Sequence, residues 1–294
     1  MRLNMQPKAV FQALMEGDFL DPKRATIIWE RCRDREILVF EDERSGVIYL
    51  DPSHTGNPPD YYKTKNVPSG IKPRNDMDVA DTDRRDQLLK PIIANKRWLD
   101  FGCGAGFQLR KSHEYAYDLL GFELNANNLE SLKADGHTVT DSPKEIIKFR
   151  PEIISLFHVL EHLDDPISHL EFLQKSSAPG ARLVVEIPHA RDWLLHHGPS
   201  SFKDFTFWSE HLVLHTKESL RYILEEGGWL VDEIINVQRY PLWNHLAWFE
   251  LNKPTGIGRS ALDESSRQLA NAYQAFLAAR NQTDTLVALA RSRP

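Results

Sequence analysis

Arg97-Trp98-Leu99-Asp100-Phe101-Gly102-Cys103-Gly104-Ala105-Gly106-Phe107 is the stretch from which the rest of the chain can be read. Trp98, Leu99 and Phe101 make a short apolar strand, and glycines at 102, 104 and 106 turn it sharply. Alternate glycines let the backbone reach positive φ and let a ligand approach the main chain, where a β-carbon would block both. With a helix starting just after, the stretch reads as the first nucleotide-binding element of a doubly wound sheet. There, free amide groups meet a ligand at the strand's carboxyl end. A dinucleotide fingerprint needs a third, helix-packing glycine at 107, and that position is Phe.

Downstream, strand and helix patterns alternate as a parallel sheet requires. Residues 119–125 form an apolar strand ending in Glu123, with Leu124 beyond it. An acid at this strand end accepts hydrogen bonds from both hydroxyls of a ribose and repels a 2′-phosphate. An exposed strand-end carboxylate without a ligand is the plainer alternative. Residues 137–140 are a short third strand, and Asp141 at its end is placed to meet the exocyclic amine of an adenine. Residues 153–158 are a fourth strand, and 183–188 a fifth after a helix carrying Leu170 and Leu173 at core spacing. Residues 229–240 and 285–290 complete the set. Between those two, a helix with Leu269, Tyr273, Phe276 and Leu277 in register is inserted at about 253–282. The expected fold class is α/β: a doubly wound, Rossmann-like, mostly parallel seven-stranded sheet.

Asp100-x-Gly102-x-Gly104-x-Gly106 resembles the first motif of class I S-adenosylmethionine (SAM) methyltransferases. Phe157-His158-Val159-Leu160-Glu161-His162-Leu163-Asp164-Asp165-Pro166 resembles the post-strand motif of the subgroup acting on small molecules and sugars. The resemblance implies SAM as cofactor. It would be held by Asp100, Gly102, Cys103, Gly104, Glu123 and Leu124, with Asp141, Phe157 and His158 around its adenine and methionine parts. His158-x-x-Glu161-His162 also matches a zinc-protease motif, but that use needs one long helix, and here the motif leaves a buried strand and meets Pro166. No metal is expected.

The long connection 189–215 is rich in histidine and aromatic residues, as befits a substrate-holding loop above the sheet's carboxyl edge. Within it, Phe207-Trp208-Ser209-Glu210-His211-Leu212 is similar to the aromatic-x-Glu-His-Leu of sugar C-methyltransferases, whose Glu-His pair belongs to the catalytic site. Trp208 and Ser209 replace that group's Tyr and His. Histidine is suited to removing a hydroxyl proton, and a carboxylate can orient its ring. His211, Glu210 and His189 are the catalytic candidates; the alternative is that His211 and His215 merely face or cap a helix. Thr216 caps residues 217–226, which end at Gly227-Gly228. The aromatic segment 241–248 is a candidate pocket wall, and Trp208, Trp243 and Trp248 suit sugar rings.

Before the sheet, residues 3–17 carry Val10, Phe11, Leu14 and Met15 at helical spacing, and 27–29, 37–40 and 47–52 read as strands. Gly46 to Pro52 with Tyr61-Tyr62 resembles the tail of a zinc-ribbon module, but Cys32 is the only cysteine there, and a structural zinc needs four ligands. Residues 1–83 are therefore expected to form a metal-free lid or packing module with a linker at 72–87. The main domain should open with a helix at 84–95. Asn57-Pro58-Pro59-Asp60 resembles the motif of amino-group methyltransferases, but lacks its final aromatic and reads as a proline turn.

The chain has 294 residues, 41% hydrophobic, with 42 acidic and 36 basic residues and a formal net charge of -6. That balance offers no footing for a nucleic-acid backbone. Two cysteines suit a reducing cytoplasm, and no apolar run approaches a membrane span. The expected activity is SAM-dependent methylation of a sugar hydroxyl, on a nucleotide sugar or a growing surface glycan, compatible with association with membrane-bound glycan-assembly enzymes. Open alternatives are another small molecule, RNA or protein as acceptor, a SAM-binding scaffold, and a zinc hydrolase using His158 and His162.

Overall fold

The computed structural model describes residues 9–54, 61–64, 76–254 and 264–293. Asn57 to Asp60 and the first eight residues lie outside them.

Seven strands form one sheet: β4 (Arg97–Phe101), β5 (Asp118–Phe122), β6 (Val139–Thr140), β7 (Ile153–Phe157), β8 (Arg182–Pro188), β10 (Trp229–Val237) and β11 (Thr285–Ser292). Their order is β10-β11-β8-β7-β4-β5-β6. Neighbours from β8 to β6 are parallel, and β11 runs antiparallel to both β8 and β10. Strands covered on both faces must be apolar throughout, and β7 and β8 are almost wholly buried. The order reverses at β4, which puts a crevice between the carboxyl ends of β4 and β7, the usual ligand position in such sheets.

A second sheet has the order β1-β2-β3-β9: β1 (Ala25–Trp29), β2 (Val39–Asp42), β3 (Ile48–Leu50) and β9 (Val213–Leu214). The N-terminal module thus borrows its fourth strand from the loop that follows β8. The two parts also share one core: Val10, Phe11, Leu14, Ile48 and Leu50 pack with Leu170, Leu220 and Leu156.

Several sequence expectations shift by a few residues. The first helix spans Ala9–Glu16 with Val10, Phe11, Ala13 and Leu14 buried, while Met15 faces out. The helix before β4 begins at Asp76 and runs to Ile93, so it replaces much of the expected linker and passes through position 84 without a break. The aromatic segment after β10 is helical, Leu242–Leu251. In the inserted helix Glu264–Ala279 the inward stripe is Ala270, Tyr273 and Leu277; Leu269 and Phe276 are exposed. Thr216 caps the helix Lys217–Glu226 through a capping box with Ser219, as expected.

Candidate functional site

The turn after β4 is shaped by its glycines. Gly102 has φ +75°, and a β-carbon there would come within 2.5 Å of Val159 Cγ2, in the segment after β7. The turn is therefore locked into the crevice at the switch point. Gly104, at φ +55°, has nothing within 4 Å of the place a β-carbon would occupy. Its free space opens toward the side where a ligand would lie. Glu123 closes this cradle: its carboxylate accepts from the amides of Gly104, Leu124 and Asn125, each at 2.7 Å. Three fixed N–H donors orient the carboxylate, two on Oε1 and one on Oε2, so the further acceptor capacity is on Oε2. The cradle fits a ribose diol carried by a nucleoside, which is the part of SAM the sequence assigns to it.

The other expected cofactor residues are distributed around this point. Asp100 is buried beneath the turn, accepts the Ser155 hydroxyl at 2.6 Å, and has its pKa pushed up to about 6 by burial, with the Glu123 charge adding to the rise. It braces β4 against β7. The Cys103 thiol is raised well above its ordinary value by burial, which suits a packing role against Gly121. Leu124 packs half-buried on the core, and Asp141 stands exposed just beyond β6. Phe157 at the end of β7 carries the Arg85 guanidinium over its ring at 4.8 Å.

His158 adopts φ +56°. A non-glycine residue there costs about 1–2 kcal/mol, so the surroundings must hold it. Its amide donates to the Glu186 carbonyl at 2.9 Å, Arg239 donates to Nε2 at 2.8 Å, and Nδ1 stands 3.0 Å from Glu161 Oε1. This network assigns the ring proton to Nδ1, which donates to Glu161. Arg239 in turn is paired with Asp81, and Arg84 and Arg85 converge on the buried Glu186 of β8. None of Asp81, Arg84, Arg85 or Glu186 was singled out from the sequence, because ion pairs between segments a hundred residues apart leave no local pattern.

Beyond the crevice lies a cavity of about 190 Å³, lined among others by His189, His211, Tyr240, Asn244 and Asp284. His189 is 1% exposed, its Nδ1 is 2.9 Å from the Thr283 carbonyl, and its Nε2 has no partner. The carbonyl fixes the Nδ1–H tautomer and leaves a bare lone pair on Nε2. Asp192 and Asp284 are buried near it. Asp284 accepts from the amides of Arg239 and Tyr240 at 3.0 and 2.9 Å and from Gln238 Nε2 at 2.8 Å, which favours the charge there. Burial and the Asp284 charge then raise Asp192 well above its usual range. The signal for Asp284 was its position immediately before the last strand, on the same edge as the glycine turn.

The Glu210-His211 pair is divided by the fold. Glu210 is buried, accepts the Tyr61 hydroxyl at 2.6 Å, and lies 4.0 Å from His162 Nδ1. His211 lines the cavity, with its ring against the same His162 at 4.9 Å and against Trp208 at 5.2 Å. The nearby carboxylate that acts on His211 electrostatically is Glu161. The N-terminal module holds this loop in place. Asp34 accepts from the Ser209 amide and hydroxyl at 3.0 and 2.6 Å, Arg33 lies 4.5 Å over the Trp208 ring, and β3 pairs with β9. Trp248 borders the cavity but is closed in by Phe202 and Phe205, so Tyr240 is the aromatic face there with more access.

Burial depresses His189 and His211 to about 3 and His215 and His245 to about 4. Unfolded, all four titrate near 6.5. Their neutral burial contributes stability that is complete above pH 6.5 and is lost as pH falls toward 4. Asp100, Asp192 and Asp284, with raised values, act in the opposite sense. Four depressed histidines stand against three raised carboxylates, so the unfolded chain binds more protons near pH 5 and stability falls as pH drops. Urea melts followed by tryptophan fluorescence should show stability falling between pH 6.5 and 5; a flat profile would contradict the buried neutral histidines.

A family profile described as "Methyltransferase domain" matches residues 74–234. No curated protein sequence matches the chain. Among solved structures, it is similar to a SAM-dependent methyltransferase from Archaeoglobus fulgidus, with 19% identity and a TM-score of 0.47, over 72% of this chain and 94% of that one. It is similar to an S-adenosylmethionine-dependent methyltransferase from Mesorhizobium loti, with 17% identity and a TM-score of 0.48, over 73% of this chain and 99% of that one. A third is the N-methyltransferase NodS from Bradyrhizobium japonicum WM9 in complex with S-adenosyl-L-homocysteine, with 16% identity and a TM-score of 0.45, over 75% and 89% of the two chains.

Proposed function

Because the chain belongs to the methyltransferase-domain family, and is thus a SAM-dependent methyltransferase, we propose that it moves the methyl group to a hydroxyl of a sugar, on a nucleotide sugar or a growing surface glycan. Bound SAM supplies a sulfonium methyl for in-line displacement. The chain's part is chiefly proximity and alignment. Glu123 and the close approach allowed by Gly104 hold the nucleoside end, and the strained His158 segment walls the crevice at the reacting end.

The observation that carries the hydroxyl assignment is His189. Its proton is fixed on Nδ1 by Thr283, its Nε2 is buried without a hydrogen-bond partner, and the residue lines the cavity at the same sheet edge. An alcohol oxygen becomes strongly acidic as its new bond to carbon forms, so even a weakly basic neutral imidazole can take the proton. The cavity's mixture of Tyr240, Asn244, Arg239 and Asp284 offers donors and acceptors suited to a polyhydroxylated ring. Glu210, sealed against Tyr61, acts as a positioning residue, while His211 faces the acceptor from the opposite wall.

The negative net charge speaks against a nucleic-acid acceptor. Among the described residues no helix is long and apolar enough to cross a membrane; we place the reaction in the cytoplasm, within reach of membrane-bound glycan assembly. The test is to incubate the enzyme with methyl-radiolabelled SAM and a host extract. Label is expected in nucleotide-sugar or glycan fractions, and label confined to RNA or protein would overturn the acceptor assignment.

A further inference from the structure

We propose that Glu161, His162 and His211 form a binding site for one divalent transition-metal ion, with an open coordination position toward the acceptor cavity. One ligand atom from each residue lies within 4.8 Å of the other two. Glu161 is 1% exposed; its Oε1 takes the His158 ring, and its Oε2 is buried with no partner. A buried carboxylate oxygen left bare costs roughly 1–3 kcal/mol or more, and a cation between the two imidazoles would relieve that cost.

Three ligands about 2.0–2.2 Å from a tetrahedral ion stand roughly 3.3 Å apart, so the longest separation must shrink by about 1.5 Å, a change within reach of side-chain rotation. Two imidazoles and one carboxylate are the donor set of a catalytic zinc-type site, whereas magnesium and calcium prefer all-oxygen shells. Glu210 lies 4.0 Å from His162 Nδ1 and is itself fixed by the Tyr61 hydroxyl, which places a second carboxylate just outside the ligand set.

His158 has no place in the set, since Arg239 occupies its Nε2 and Glu161 its Nδ1. The pairing of His158 with His162 that the sequence motif suggests is therefore not the one the fold offers. His211, reaching over from a loop fifty residues away, takes the second imidazole position. Because His211 also lines the cavity, the ion's open position would meet an oxygen of the acceptor there and make a hydroxyl more acidic. That use rests on the methyl-transfer reading; the site itself does not.

The test strips the full-length protein with a chelator and titrates it with Co²⁺ alone. The expected result is one equivalent bound with a visible d–d band. Affinity should be at least about tenfold weaker in both Glu161→Gln and His211→Gln, since loss of even an outer partner commonly costs 10–100-fold. His211→Gln keeps the test valid if Glu161→Gln fails to fold. Absence of the band, or equal affinity in wild type and both variants, would overturn the site. SAM binding in the same samples separates the two readings: protein that takes up no Co²⁺ yet binds SAM rejects only the metal site, and protein that takes up Co²⁺ but does not bind SAM rejects only the cofactor cradle.

Discussion

Glu123→Ala should lower the affinity for SAM by at least about 100-fold in calorimetric titration. A hydrogen bond to a charged group is worth about 1.5–3 kcal/mol, and the ribose loses its charged acceptor. The variant also strips the amides of Gly104, Leu124 and Asn125 of their partner, so the turn relaxes and part of the loss is preorganisation. Glu123→Gln separates the two effects. It keeps an oxygen for those amides but removes the charge and one acceptor, so it should bind SAM measurably better than the alanine variant. Gly104→Ala should reproduce the loss by a different route, because its β-carbon enters the one open position of the turn at φ +55°. A dissociation constant for Glu123→Ala within threefold of wild type would remove the cofactor site from this crevice.

His189→Gln should reduce kcat by about 10²–10⁴-fold, the range attributed to a positioned general base, with SAM affinity unchanged. Glutamine fills a similar volume and can still donate to the Thr283 carbonyl, so the last strand keeps its contact. What it lacks is a lone pair on a nitrogen at the Nε2 position. The measurement is single-turnover methyl transfer to the true acceptor, which isolates chemistry from product release. If the rate falls less than threefold, the proton goes elsewhere, and Asp284 is the group to change next. His189 lies at the end of β8, while Thr283 and Asp284, which hold its side chain and its amide, stand just before β11. The position of His189 is thus set by the pairing of two strands separated by almost a hundred residues.

The central fold was legible because its signals are local. A glycine turn after an apolar strand, an acid after the next, and a regular alternation of strand and helix are all written within short windows. The site was legible only in part. Helix Asp76–Ile93 was cut short because Asp81, Arg84 and Arg85 read as solvent-facing linker residues, whereas their partners are Arg239 and Glu186 deep in the fold. Glu210 and His211 are adjacent in sequence, which suggested a working pair, but Glu210 takes the Tyr61 hydroxyl while the His211 ring packs on Trp208, and what they share is His162. Asp34 carries no motif and Tyr61 stood out only as part of a module tail, since what they do is reach Ser209 and Glu210, almost 150 residues or more further on.

That second sheet has an evolutionary consequence. β9 comes from the acceptor loop and β3 from the opening fifty residues, and Asp34 and Arg33 grip the same loop from above. Two distant stretches of the gene therefore specify one wall of the cavity, and neither can be exchanged alone without leaving the other unpaired. New acceptor preferences in such a protein should arise by matched substitutions in both stretches, and a productive chimera has to carry them over together.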